Sequence, residues 1–167
     1  GCIDDHVAGI KQLAERYPYM DLDRVGISSL GGGTGAVQGL LQYPEFFKVG
    51  VHGMLHDSRL MAASMWSDKY EGLTGPDPAH QYPEAYAENL QGKLLLTNGM
   101  LDFATIPATT FRLIEALQKA NKDFDLIMLP SQGHEYSSYV IRRSWDYLIK
   151  HLQNLEPQTE FRLSKTV

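Results

Sequence analysis

Three side chains far apart in the chain, Ser29, Asp102 and His134, are the types that acyl transfer requires. A hydroxyl attacks a carbonyl only when a base takes its proton. That base needs a carboxylate to hold its tautomer, and the developing oxyanion needs hydrogen-bond donors. Glycines at 31, 32, 33 and 35 follow Ser29, and the amide of Leu30 is the candidate oxyanion donor. Taken singly, each residue has a plainer role. Ser29 is a turn former among glycines, Asp102 a cap for a helix beginning near Pro107, and His134 a solvated loop residue. The other histidines, His6, His52, His56, His80 and His151, show no metal-ligand spacing and read as surface or satisfied polar groups. His56 and Asp57 are neighbours in a loop, where adjacent side chains rarely face each other. The single cysteine, Cys2, allows neither an internal disulfide nor a thiolate metal site. No metal or organic cofactor is implied.

The elements that must position these groups follow from periodicity and punctuation. Asp4 or Asp5 caps a helix with Val7, Ile10, Leu13 and Ala14 on one face, stopped before Pro18. Residues 23–28 form a short strand, and 36–43 a helix with Val37, Leu40 and Leu41 inward. A second strand spans 48–52, followed by a helix over 58–70 and an irregular connection over 72–83 carrying three prolines. Residues 93–97 are a third strand, and Pro107 opens a helix to Ala120. A fourth strand covers 124–129, and a final helix covers 136–152 with Val140, Trp145, Leu148 and Leu152 apolar. Trp66 and Trp145 read as core, and residues 156–167 as a polar tail. Four apolar strands alternating with helices predict an α/β fold with a parallel sheet covered on both faces. Ligands in such sheets sit at the carboxyl ends of the strands, where Ser29, His52 to Asp57, Asn98 to Asp102 and Pro130 to His134 fall. The order serine, acid, histidine is that of α/β-hydrolases, whose serine rides a strained strand-to-helix elbow.

The sequence resembles the catalytic domain of the prolyl oligopeptidase family of serine peptidases, in its dipeptidyl-peptidase-IV-like branch. The resemblance rests on Asp23-Arg24-Val25-Gly26-Ile27, on Leu40 through Lys48, on Ser58-Arg59 and Tyr70-Glu71-Gly72, on Gly99-Met100-Leu101-Asp102, and on Lys122 through Leu126 with Gln132-Gly133-His134. It implies a partial α/β-hydrolase fold and peptide hydrolysis through an acyl-enzyme. Asp102 would be the acid, His134 the base and Ser29 the nucleophile. The pocket for the residue before the cleaved bond would be lined by Leu60, Ala63 and Trp66, then Ala104 and Thr105. It further implies that the preceding half of the hydrolase and a β-propeller lie upstream, so that the 167 residues alone are an inactive part of a longer polypeptide. The opening without a leader or initiator methionine fits that expectation. A parent that follows this branch would be periplasmic or secreted, and a homodimer.

The elbow departs from the family pattern Gly-x-Ser-x-Gly-Gly. Counting forward from Ile27 puts Gly31 at the nucleophile's place, and counting back from Pro44 puts Leu30 there. Ser29 keeps the following Gly31-Gly32 pair, with Ile27 replacing the first glycine. A non-catalytic hydrolase-fold interaction module is therefore a competing expectation. A dinucleotide-binding domain is another: Gly31-x-Gly33-x-x-Ala36 matches the fingerprint, but the next strand ends in His52-Gly53 instead of an acidic residue.

Composition narrows the partners. Fifteen basic against twenty acidic side chains give a formal charge of −5, which argues against nucleic acid or an anionic membrane surface. With 43% hydrophobic and 21% charged residues, the 167-residue chain can bury the core of one domain. No apolar run approaches the ~20 residues of a membrane span.

Overall fold

The computed structural model describes residues 2–31, 35–55, 69 and 82–163. Helix α1 spans Cys2–Arg16, strand β1 Val25–Leu30, helix α2 Gly35–Gln42 and strand β2 Phe47–Gly53. A 3-10 helix over Pro83–Asn89 precedes strand β3, Lys93–Gly99. Helix α3, Pro107–Lys119, strand β4, Asp125–Leu129, and helix α4, Ser138–Gln153, complete the order. The expected helix over 58–70 except residue 69, the connection over 72–81, and His56, Asp57 and His80 lie outside the described residues.

All pairings are parallel, and the strands lie side by side in chain order β1-β2-β3-β4. That order makes β1 one edge of the sheet and β4 the other among the described residues. Alternation of side chains about each strand then assigns two faces. On one face Val37, Leu40 and Leu41 of α2, Leu113 and Leu117 of α3, and Ile3 and Val7 of α1 bury Phe47, Leu94 and Leu96. On the other, Tyr147, Leu148 and Leu152 of α4 cover Val49, Val51 and Leu95. No described helix is long and apolar enough to cross a membrane.

Two expectations are corrected. Strand β1 runs on through Leu30 instead of stopping at Ser28, because Ser29 and Leu30 pair with His52 and Gly53 of β2. The turn begins at Gly31, whose φ of 59° is left-handed and strains any residue with a Cβ. Trp145 is 51% exposed and not core. The buried positions of α4 are Val140, Ser144 and Tyr147, and Trp145 lies five residues from Val140, well round the helix from that stripe.

Leu40 is fully buried where α2 meets β2. Leu40→Ala should destabilise the domain by about 2–5 kcal/mol in urea unfolding.

Candidate functional site

The carboxyl ends of β1, β3 and β4 converge on one site. After β3 the chain turns so that Leu101 N donates to Gln132 O at 2.9 Å, tying the loop that carries the acid to the loop that carries the histidine. Buried Asn98 holds the base of the acid loop. Its Nδ2 donates to the carbonyls of Gly99 (3.0 Å) and Thr105 (3.3 Å), and its Oδ1 accepts from the Thr110 hydroxyl (3.0 Å). Gly99 lets the loops meet: a Cβ there would run into the carbonyl oxygens of Gln132 and Gly133.

Asp102 is 3% exposed and fully satisfied. Its Oδ1 accepts from the amides of Ala104 (2.9 Å) and Thr105 (2.8 Å). Its Oδ2 accepts from the Thr105 hydroxyl (2.6 Å) and from His134 Nδ1 (2.9 Å). Burial pushes the carboxyl up, but the bonds from Thr105 and His134 outweigh it and hold Asp102 below the ordinary carboxylate range. An ionised Asp102 on Nδ1 fixes the histidine tautomer that leaves the Nε2 lone pair free. The His134 side chain is 39% exposed. The expected acid and base are therefore brought together. Thr105, expected in the substrate pocket, is buried and serves the acid. Its neighbours in that expected pocket, Leu60, Ala63 and Trp66, lie outside the described residues.

Ser29 does not join them. It sits inside β1, facing α2, because a strand residue points to a face of the sheet and not over its end. Its Oγ lies 2.6 Å from His52 Nδ1 and accepts the amide of Ala36 at 2.9 Å. The other ring nitrogen, His52 Nε2, is buried with no hydrogen-bond partner among the described residues. His52 is completely buried, and burial lowers its pKa to about 3, which makes it a feeble base for activating Ser29. The residue facing His134 is Gly31. A Cβ built on Gly31 would stand 3.7 Å from His134 Nε2. Leu30, the expected oxyanion donor, is the last residue of the strand, and the Gly31 amide donates to Gly53 O at 2.9 Å.

His52 is the residue that sequence reasoning missed. Only the β1–β2 register, which sets Ser29 beside His52, identifies it. Gly31, by contrast, was reachable by counting from Ile27.

Comparison with known proteins agrees with this architecture. Residues 1–155 match the pattern of the prolyl oligopeptidase family. Human dipeptidyl peptidase 8 is 31% identical over 139 residues, which cover 79% of this chain and 16% of that protein. The mouse protein of the same name is 30% identical over the same length. The chain thus spans about a sixth of these relatives. Among solved structures, Porphyromonas gingivalis dipeptidyl peptidase 4 superposes with a TM-score of 0.76 at 25% identity, over 90% of this chain and 22% of that one. Pyrococcus horikoshii acylaminoacyl peptidase, at 18% identity, shares the fold with a TM-score of 0.74 over 95% of this chain and 29% of its own.

Two outcomes follow from the Ser29–His52 contact. Ser29→Ala leaves the Ala36 amide and His52 Nδ1 without their partner, and should cost about 1–3 kcal/mol in urea unfolding; removing a catalytic serine is ordinarily neutral or stabilising. The depressed His52 pKa gives a pH signature. Between pH 6.5 and about 3 the unfolded chain binds a proton on this residue that the folded chain refuses, so stability falls as pH falls through that window. The loss should reach about 2 kcal/mol near pH 5 relative to neutrality and should be absent from the His52→Gln profile, so that subtracting the two profiles isolates it.

Proposed function

The chain belongs to the prolyl oligopeptidase family of serine peptidases, and on that premise we propose that it carries a peptidase-type site whose acid and base remain while Gly31 stands in the nucleophile's place. One observation carries this reading: His134 Nε2 faces the place a Cβ on Gly31 would take, while Ser29 is held by His52 and Ala36 on a face of the sheet. The left-handed φ of Gly31 supports it further, since a nucleophile elbow is a strained strand-to-helix turn. A protein built this way engages short peptides through a hydrolase fold without forming an acyl-serine. The relatives' names, dipeptidyl peptidase 8 and dipeptidyl peptidase 4, support peptides as the ligand class.

The remainder of the reading concerns the parent. Among the described residues β1, with half-buried Val25 and Ile27, has no partner strand on its outer edge, and a parallel strand of this kind asks for cover. Strands from a preceding half of the hydrolase domain are the cover we envisage, in keeping with the small share of each relative that the chain spans. Hydrolysis through acyl-Ser29 is the competing reading. The intact Asp102–His134 pair favours it, but it requires Ser29 to leave His52 and the turn to re-form two residues earlier.

A fluorophosphonate probe followed by peptide mapping tests the choice. The purified protein should remain unlabelled at Ser29, and Gly31→Ser should gain a label. A hydroxyl one bond beyond that Cβ falls within the ~3 Å reach of His134 Nε2, at a strain of about 1–3 kcal/mol for a side chain at positive φ. Labelling of Ser29 in the unaltered protein would overturn the reading, and so would a folded Gly31→Ser variant that stays unlabelled.

A further inference from the structure

Resting on the reading of Gly31 above, we propose that the Asp102–His134 pair acts as a general base on water and hydrolyses activated aryl esters of small carboxylic acids directly, with no acyl-protein intermediate. A base held in the right tautomer needs only a proton donor at its free nitrogen. Asp102 Oδ2 occupies Nδ1 at 2.9 Å, which leaves Nε2 as the working atom. Both Nε2 and Cε1 face Gly31, where a Cβ would stand 3.7 and 3.8 Å away. Glycine has no such atom, so a water oxygen can approach Nε2 along the line a serine hydroxyl would otherwise take. The imidazole is partly exposed, and Leu30, Leu101 and Phe103, which adjoin Gly31 and Asp102 in sequence, are exposed apolar side chains.

The step balances without an added reagent. The water oxygen bonds the ester carbonyl carbon while its proton moves to Nε2. The tetrahedral intermediate collapses with cleavage of the bond to the aryl oxygen, and Nε2 returns the proton to the phenolate. One ester and one water give one carboxylic acid and one phenol, and nothing is oxidised or reduced.

The same geometry limits the substrate class. The Gly31 amide is committed to Gly53 O and is not available to an oxyanion. A missing oxyanion donor costs about a hundredfold to a thousandfold in rate. Esters of acidic phenols tolerate that loss because the phenolate leaves readily; amides, whose amine must be protonated to depart, do not.

The test is 4-nitrophenyl acetate turnover by the purified protein, with intact-mass spectrometry during the reaction and circular dichroism on every variant. The protein should release nitrophenolate above the buffer rate, more slowly in D2O, and with no acetyl adduct. His134→Gln should lower the rate by about a hundredfold or to the buffer level, and Asp102→Asn should lower it in the same direction. Gly31→Ala places a methyl in contact with Nε2, where the water must sit, and should match His134→Gln. An acetyl group on Ser29 would overturn both this proposal and the reading it rests on. An acetyl group on His134, or a rate indifferent to His134→Gln or to a folded Gly31→Ala, would overturn the proposal alone.

Discussion

The parallel pairing of β1 with β2 fixes where the elbow falls. Because Ser29, Leu30 and the Gly31 amide all continue the ladder against His52 and Gly53, the chain cannot turn until Gly31. Only then is the backbone free to enter the left-handed region, which glycine occupies without the Cβ clash that other residues suffer. A ladder one residue shorter would have moved the turn toward Leu30. The identity of the group facing His134 is thus decided by strand register and not by which serine lies nearest in sequence.

Opposite that elbow, the acid is held by a scaffold buried before any substrate is considered. Asn98 ties the ends of the acid loop together, Thr105 supplies both its amide and its hydroxyl to Asp102, and Gly99 admits the carbonyls of Gln132 and Gly133. Each of these contacts lowers the freedom of one loop relative to the other, so the Asp102–His134 distance is set by packing at the ends of β3 and β4. The Thr105 hydroxyl and His134 Nδ1 share one carboxylate oxygen, and that crowding of donors keeps a buried acid ionised.

How far the sequence disclosed this depends on which physical rule governs each residue. The meeting of Asp102 and His134 was legible because both follow apolar strands, and the carboxyl ends of parallel strands form one edge where such groups meet. The helices were legible from three-four spacing, but Trp145 was not, since a residue can look apolar in a list and still lie off the buried stripe of α4. The position of Ser29 was not legible because the glycines after it suggest an early turn, whereas cross-strand pairing, invisible in a single sequence, keeps it in the sheet. His52 was passed over for the same reason. Its importance comes from a partner 23 positions away that only the register brings alongside. Thr105 was assigned to the pocket by resemblance, and its burial under Asp102 depends on a tight turn whose path residue types alone do not fix.

The contact of Asp102 with His134 beside a glycine does not by itself argue for catalysis. Asp102 is buried, and a buried carboxylate that loses a donor is left with an uncompensated charge, a change that is strongly destabilising. His134 therefore has a structural reason to stay, as the partner that completes Asp102. That reason applies to Nδ1 alone. It says nothing about Nε2, which would be equally content buried against a hydrogen-bonding neighbour or turned to bulk water. The chain instead presents Nε2 to a side-chain-free, left-handed residue at the mouth of the sheet. Structure holds one nitrogen of the ring, and the geometry at the other is what a chemical role must explain.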